Sequence, residues 1–208
     1  MKNKRLLITL LVLITIISLN VSAFPYGYGA AGEDPLIVMF NDVIKEVKRD
    51  EKDWDKLKSI IENSKAPILN LDSFFNVKIY KKLEKALEEK DLKTVITGSV
   101  NVVYLSMMEK FELIKQKEFK DYDFCKGRLA LNDKYYREIF RGNVIKYDKK
   151  NGTNINDTIL NLLQKIPGTI GKPGKFGMGE EAAHPDDYDE IYKEIKSNLK
   201  VVFPGFEG

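Results

Sequence analysis

Apolar residues recur at steps of three and four along most of the chain after residue 34, a spacing typical of amphipathic helices. The first helix is predicted to begin after Asp34, a good N-cap residue, with Pro35 at the first helical position, where its missing N–H is harmless. Its apolar face comprises Leu36, Phe40, Val43, Ile44 and Val47. A second helix around Trp54 is expected to stop at Ala66 and Pro67, because the residue before a proline disfavours helical geometry.

The middle of the chain predicts two further helices, the second of them long. Asp72 or Ser73 can cap the first of these, and its apolar stripe repeats every fourth residue. The stripe comprises Phe75, Ile79, Leu83 and Leu87. The segment from Asp91 to about Glu118 keeps a helical period over most of seven turns, and its middle is apolar nearly all round. A helix of that kind is normally central and buried, and Gly98 would let another helix approach closely.

Three more helices complete the prediction. One runs from Asp121 to about Phe140, a short one follows Asn156 or Asp157, and the last begins at Pro185. Residues 168–179 hold too many glycines for any regular element and predict a loop. The expected fold is therefore an all-α, single-domain bundle of six to seven helices with a Gly-rich loop near residues 168–179.

The first 23 residues have the three-part pattern of a signal peptide. Lys2, Lys4 and Arg5 form a positive start, the run Leu6–Leu19 is mostly apolar, and Val21–Ala23 supplies small residues at the cleavage position. The apolar run is shorter than the roughly 20 residues of a membrane-spanning helix, so cleavage after Ala23 is favoured over a retained anchor. The predicted organisation is a signal peptide over 1–23, an extended Gly/Pro/aromatic arm over 24–34, a helical domain over 35–203 and a tail over 204–208.

The net charge of the chain argues against nucleic-acid binding, because its positive surplus lies in the predicted signal peptide. The chain has 34 Lys and Arg against 31 Asp and Glu, and the surplus is accounted for by the three basic residues of the leader. A neutral mature protein, periplasmic or secreted, is a poor candidate for nucleic-acid binding, which needs a sustained positive face. No later segment predicts a stable membrane span. The single cysteine, Cys125, cannot form an intrachain disulfide and is expected to be buried.

A metal or haem site is one functional hypothesis. Glu181 and His184 have the Glu-x-x-His spacing that places two metal ligands on one face of a helix. Pro185 weakens the argument because it disfavours helical geometry at His184. The alternative is that these residues only begin a helix, with Asp186 and Asp187 in its first turn. Non-covalent haem between helices, with His184, Met178 or a tyrosine as axial ligand, is a related hypothesis.

Aromatic residues support a different hypothesis, a non-enzymatic binding or protein-interaction domain. The chain has 11 Phe and 10 Tyr, and tyrosine is enriched at binding surfaces. The proposed contacts are with a protein partner or a small apolar ligand. The candidate interaction residues are Tyr26, Tyr28, Phe176, Met178 and Phe206. A hydrolase acting on the cell envelope is the third hypothesis; paired carboxylates could serve it, but the chain has so many acids that no pair stands out. For nucleophilic catalysis the only Cys/His pair is Cys125 with His184, which lies in no local catalytic signature.

Overall fold

The structure is a computed structural model that describes residues 34–174 and 178–208. The regular elements in these two ranges are helical, which confirms the all-α prediction. The predicted signal peptide and most of the predicted arm lie outside the described residues. The α-helices, in chain order, are α1 (Pro35–Val47), α2 (Trp54–Asn63), α3 (Lys65–Phe75), α4 (Ile79–Glu88), α5 (Leu92–Gln116), α6 (Tyr122–Tyr135), α7 (Arg141–Asn151), α8 (Ile155–Lys165) and α9 (Pro185–Val202).

Helix α1 begins as its sequence indicates. The Asp34 carboxylate accepts a hydrogen bond of 2.9 Å from the N–H of Leu36, and Pro35 occupies the first helical position. The predicted apolar face is buried throughout. Helix α2 has the same kind of start, because Asp53 accepts a bond of 3.0 Å from the N–H of Lys56.

The region between Ser64 and Glu88 differs from the prediction. Pro67 does not stop a helix but lies in the first turn of α3, where the N–H that proline lacks would have no partner in the helix. The single helix predicted from Asp72 to about Glu89 is instead divided between α3 and α4. Asn76 adopts a left-handed conformation with φ of 53°, which ends α3 and lets the chain turn.

Helix α5 confirms the long buried helix. Asp91 caps its start by accepting from the N–H of Thr94, and residues 101–108 are buried on every side. Gly98 has the predicted role, since a Cβ added there would lie 2.7 Å from Cδ2 of Leu83.

The predicted end of the helix near Phe140 is wrong. A π-helical turn, Tyr136–Phe140, joins α6 to α7, so the helical chain continues to Asn151. It ends there because Gly152, with φ of 67°, supplies the left-handed C-cap. With the division at Asn76, the described residues therefore hold more helices than the six to seven predicted.

The last part of the chain agrees with the prediction more closely. Helix α8 is followed by a 3-10 turn, Ile166–Thr169, that contains Pro167 and Gly168. Helix α9 begins at Pro185, and its buried face comprises Tyr188, Tyr192, Ile195 and Leu199.

Contacts divide the chain into two compact units where the sequence indicated one domain. The N-terminal unit comprises the described residues up to Ser106 with Glu207 and Gly208, and the C-terminal unit is Met107–Phe206. In the first, α1 packs on α2 and α3 packs on α4; in the second, α8 packs on both α7 and α9. Across residues 34–174 and 178–208, no helix has both the length and the apolar character needed to cross a membrane.

Candidate functional site

The corner between α3 and α4 is held by one carboxylate. Asp72, in the last turn but one of α3, accepts hydrogen bonds from the N–H of Ile79 at 2.8 Å and of Tyr80 at 3.0 Å. Both donors lie at the start of α4, where backbone N–H groups have no partner within the helix. The carboxylate therefore fixes the start of α4 beside the end of α3.

This corner forms a surface depression of about 630 Å³ that opens to solvent. Its apolar part is made by Leu69 on α3, Val77 in the turn and Tyr80 on α4. Its lining residues are Lys65, Leu69, Asp72, Ser73, Asn76, Val77, Lys78, Tyr80, Lys81 and Glu84. We call this surface the corner depression.

Three lysines give the corner depression its charge. Lys65, Lys78 and Lys81 are exposed, and within the described part of the chain none of them has a carboxylate at ion-pair distance. The ammonium of Lys65 lies 5.0 Å from the centre of the Tyr80 ring, a cation–π contact that holds the lysine over the apolar part of the surface.

The two acids that line the depression are already engaged. Both carboxylate oxygens of Asp72 accept backbone bonds. Burial raises the pKa of Tyr80, and the charge of Glu84 and its hydrogen bond to the tyrosine raise that pKa further. Tyr80 therefore stays a neutral hydroxyl beside Glu84, and the lining holds three lysines against two carboxylates. The arrangement can bind an anionic group next to an apolar one.

Two glycines of the Gly-rich segment, Gly171 and Gly174, allow close packing between backbone segments. Lys172 and Glu181 form an antiparallel bridge with N–H to O=C bonds of 2.9 and 3.0 Å. A Cβ on Gly171 would lie 2.7 Å from the carbonyl oxygen of Glu181, and one on Gly174 would lie 2.9 Å from that of Met178. Only glycine permits an approach this close.

The two proposed metal ligands do not share a helix face. Glu181 is in the bridge, and its exposed carboxylate lies 3.7 Å from the ammonium of Lys172. His184 is exposed at the N-cap of α9, ahead of Pro185. In the described ranges, no three His, Cys, Asp or Glu side chains come together as a set able to hold a metal ion.

The candidate interaction residues have different environments. Met178 is 74% exposed, the most exposed of the large apolar side chains described. Phe206 stacks on Phe203 with ring centres 4.7 Å apart and meets Phe140 edge-on at 6.1 Å, so it packs within the C-terminal unit. Tyr26, Tyr28 and Phe176 lie outside the described residues.

Cys125 is buried, as the sequence indicated. Burial raises the pKa of its thiol, and the nearby Asp121 carboxylate raises it further, with Arg128 acting in the opposite direction. A thiol held in its neutral form is a poor nucleophile. The geometry therefore supports packing as the role of Cys125 and does not favour the Cys125–His184 pair.

Comparison with known proteins found no matching family, no similar curated protein and no similar solved structure. The corner depression must therefore be interpreted from its own chemistry. The sequence pattern does not reveal this surface, because the apolar stripe from Phe75 to Leu87 predicts one continuous helix. The available signal was Asn76, since asparagine tolerates the left-handed conformation that ends a helix.

Proposed function

We propose that the protein is an exported, non-enzymatic helical binding protein, periplasmic or secreted, that docks a partner protein at the corner depression. One observation carries the proposal: three exposed lysines without acidic partners surround an apolar surface that a single capped corner holds in place. The leader sequence supports the extracytoplasmic location.

The shape of the depression favours a protein segment over a small molecule. Small-molecule sites bury most of the ligand surface inside a cleft, whereas this depression is open to solvent. A peptide segment can instead lie across the corner and contact both helices. Ser73 and Asn76 line the same surface and offer hydroxyl and amide groups for hydrogen bonds to a peptide backbone.

Position-specific crosslinking tests this function. A photoreactive amino acid replaces Leu69, which is 41% exposed in the depression, and the control replaces Val201, which is 52% exposed on α9. After irradiation of intact cells and culture medium, we expect one discrete adduct from position 69 in the extracytoplasmic fraction and none from position 201. Equal adducts at both positions, or none at position 69, would contradict the proposal.

A further inference from the structure

We infer that the corner depression recognises an acidic peptide segment that carries a large apolar side chain. The inference rests on the proposed binding function and adds the chemistry of the partner. Lys65, Lys78 and Lys81 supply three positive groups against two carboxylates in the lining, and both oxygens of the Asp72 carboxylate are occupied by backbone N–H groups of α4.

Among the described residues, the lysines of the corner depression are not ion-paired, whereas some other lysines of the N-terminal unit are. Outside the leader the chain carries equal numbers of basic and acidic residues. Lys58 lies 3.8 Å from Glu62, Lys85 lies 3.6 Å from Glu89, and Lys82 pairs with Glu207. Charge complementarity of this kind selects the partner and orients it more than it adds affinity.

The apolar part of the surface requires a second feature of the partner. Leu69 is 41% exposed, although most leucines of the N-terminal unit are buried. Val77 is half-buried, and the Tyr80 ring lies beneath Lys65. Covering Leu69 and Val77 needs an apolar side chain placed between the lysines, because removing apolar surface from water is the main favourable contribution to association. An acidic chain without such a residue would leave Leu69 and Val77 exposed to water.

The binding test uses a defined probe. A short fluorescein-labelled peptide in which leucine alternates with glutamate is titrated with the mature protein and followed by fluorescence anisotropy. We expect saturable binding that weakens as salt is added, since exposed charges are screened. A peptide with lysine in place of glutamate, and one with alanine in place of leucine, should both bind more weakly.

Two matched double variants isolate the charge. Lys78→Glu with Lys81→Glu reverses the lysines at the start of α4, where acidic residues favour the helix dipole, so this variant should fold. Lys45→Glu with Lys93→Glu makes the same charge change on exposed residues of the same unit outside the depression. We expect the first to weaken binding about tenfold or more, as two attractions become repulsions, and the second to change it less than about twofold.

Leu69→Ala tests the apolar contact, and we expect roughly three- to tenfold weaker binding because part of the buried apolar area is lost.

The inference would be overturned if neither the lysine reversal nor Leu69→Ala changed the affinity for the peptide. Equal, lysine-dependent binding to phosphatidylglycerol vesicles would also overturn it and would indicate a lipid surface instead. If crosslinking at position 69 succeeds while the acidic peptide does not bind, the proposed function stands and the partner chemistry is wrong. If both fail, both are wrong.

Discussion

Glu46 shows how a single carboxylate can stay charged while almost completely buried. It lies on α1 and is 1% exposed, with Lys56 at 3.1 Å, Arg49 at 3.2 Å and the N–H of Asp53 donating at 3.2 Å. Burial by itself raises the pKa of Glu46. The hydrogen bonds from Lys56, Asp53 and Arg49 together outweigh it and leave the pKa below its ordinary value. Glu46 thus ties α1 to the start of α2.

The lowered pKa predicts an acid-sensitive contribution to stability. A carboxylate with a folded-state pKa below its unfolded value stabilises the fold above the unfolded value, 4.5, and that stabilisation is lost as pH falls through the folded pKa. Glu46→Gln should therefore lower the urea midpoint at pH 7, and its difference from the parent protein should shrink towards pH 3. Glu62→Gln, an exposed partner of Lys58, serves as the control and should change little. A Glu46→Gln deficit of equal size at both pH values would show that charge is not the cause.

The side-chain amide of Asn132 on α6 is also buried, but unlike the Glu46 carboxylate it has no hydrogen-bond partner among the described residues. Its side chain is fully buried, and neither the oxygen nor the nitrogen has a hydrogen-bond partner among the described residues. An unsatisfied buried polar group costs about 1–3 kcal/mol. Asn132→Leu, of similar shape, should raise the free energy of unfolding by about 1 kcal/mol, measured by urea denaturation. The shorter Asn132→Ala should lower it, because it leaves a cavity. Destabilisation by both variants would mean that the amide is bonded in solution.

At the level of the helices, each unit contains a corner of the same kind, in which an aspartate on one helix caps the start of the next. Asp72 caps α4 across the left-handed Asn76, and Asp148 caps α8 across the left-handed Gly152. Asp148 accepts from the N–H of Ile155 at 2.9 Å and of Asn156 at 2.8 Å, seven and eight residues ahead, as Asp72 does. Burial by itself raises the pKa of Asp148, but its hydrogen bonds from Thr153, Asn156 and Ile155 lower the pKa below its ordinary value.

Removing either capping carboxylate should destabilise the protein by a similar amount. Asp72→Ala and Asp148→Ala each leave two helix N–H groups without this acceptor, and we expect a loss of about 1–2 kcal/mol in the free energy of unfolding. Asp123→Ala is the control, an exposed acid in the first turn of α6, and should cost only a few tenths of a kcal/mol, about the value of a charge near the helix dipole. Urea denaturation of the three variants gives the comparison. Equal effects of all three would exclude the capping role.

The bridged Gly-rich segment gives a graded prediction with its controls in the same loop. Gly171 has φ of 75° and backbone atoms within 3 Å of an added Cβ, Gly179 has φ of 74° with open space, and Gly168 has neither restriction. Gly171→Ala should therefore cost most, about 2 kcal/mol or more, Gly179→Ala about 1 kcal/mol, and Gly168→Ala nothing or a slight gain. Protease cleavage within residues 168–184 reports local opening, and urea denaturation reports the whole fold. Equal cleavage rates in the Gly171 and Gly179 variants would show that the close backbone contact does not form.

The helices differ in how well sequence alone predicted them. Helix α5 was predictable because its apolar period has no competing signal, and α9 because Pro185 fixes its start. At Asn76 a weak break signal, an asparagine, is outweighed by Phe75, Ile79, Leu83 and Leu87, which keep a four-residue step across it and so imitate one helix. The π-helical turn carries no pattern of its own. The corner depression exists only because of the break, so no reasoning from a continuous helix could have located it.

For the whole molecule, the excess of basic over acidic residues is confined to the predicted signal peptide. Lys2, Lys4 and Arg5 account for the entire positive surplus, and they belong to the predicted leader. If the leader is removed, the remaining chain has equal numbers of basic and acidic residues and is neutral. A retained leader would instead leave a precursor with an isoelectric point of about 8.7.

Processing can be tested directly on the expressed protein. Signal peptidase needs small residues before the cleavage site, so N-terminal sequencing of the exported form should begin at Phe24, and isoelectric focusing should place this form near neutrality. Ala23→Phe should block cleavage and accumulate the basic precursor with the membranes, whereas Ala30→Phe makes the same change beyond the site and should be processed normally. An exported protein that still begins at Met1, or equal processing of the two variants, would mean that residues 1–23 are not a cleaved signal and that the location of the binding surface must be reconsidered.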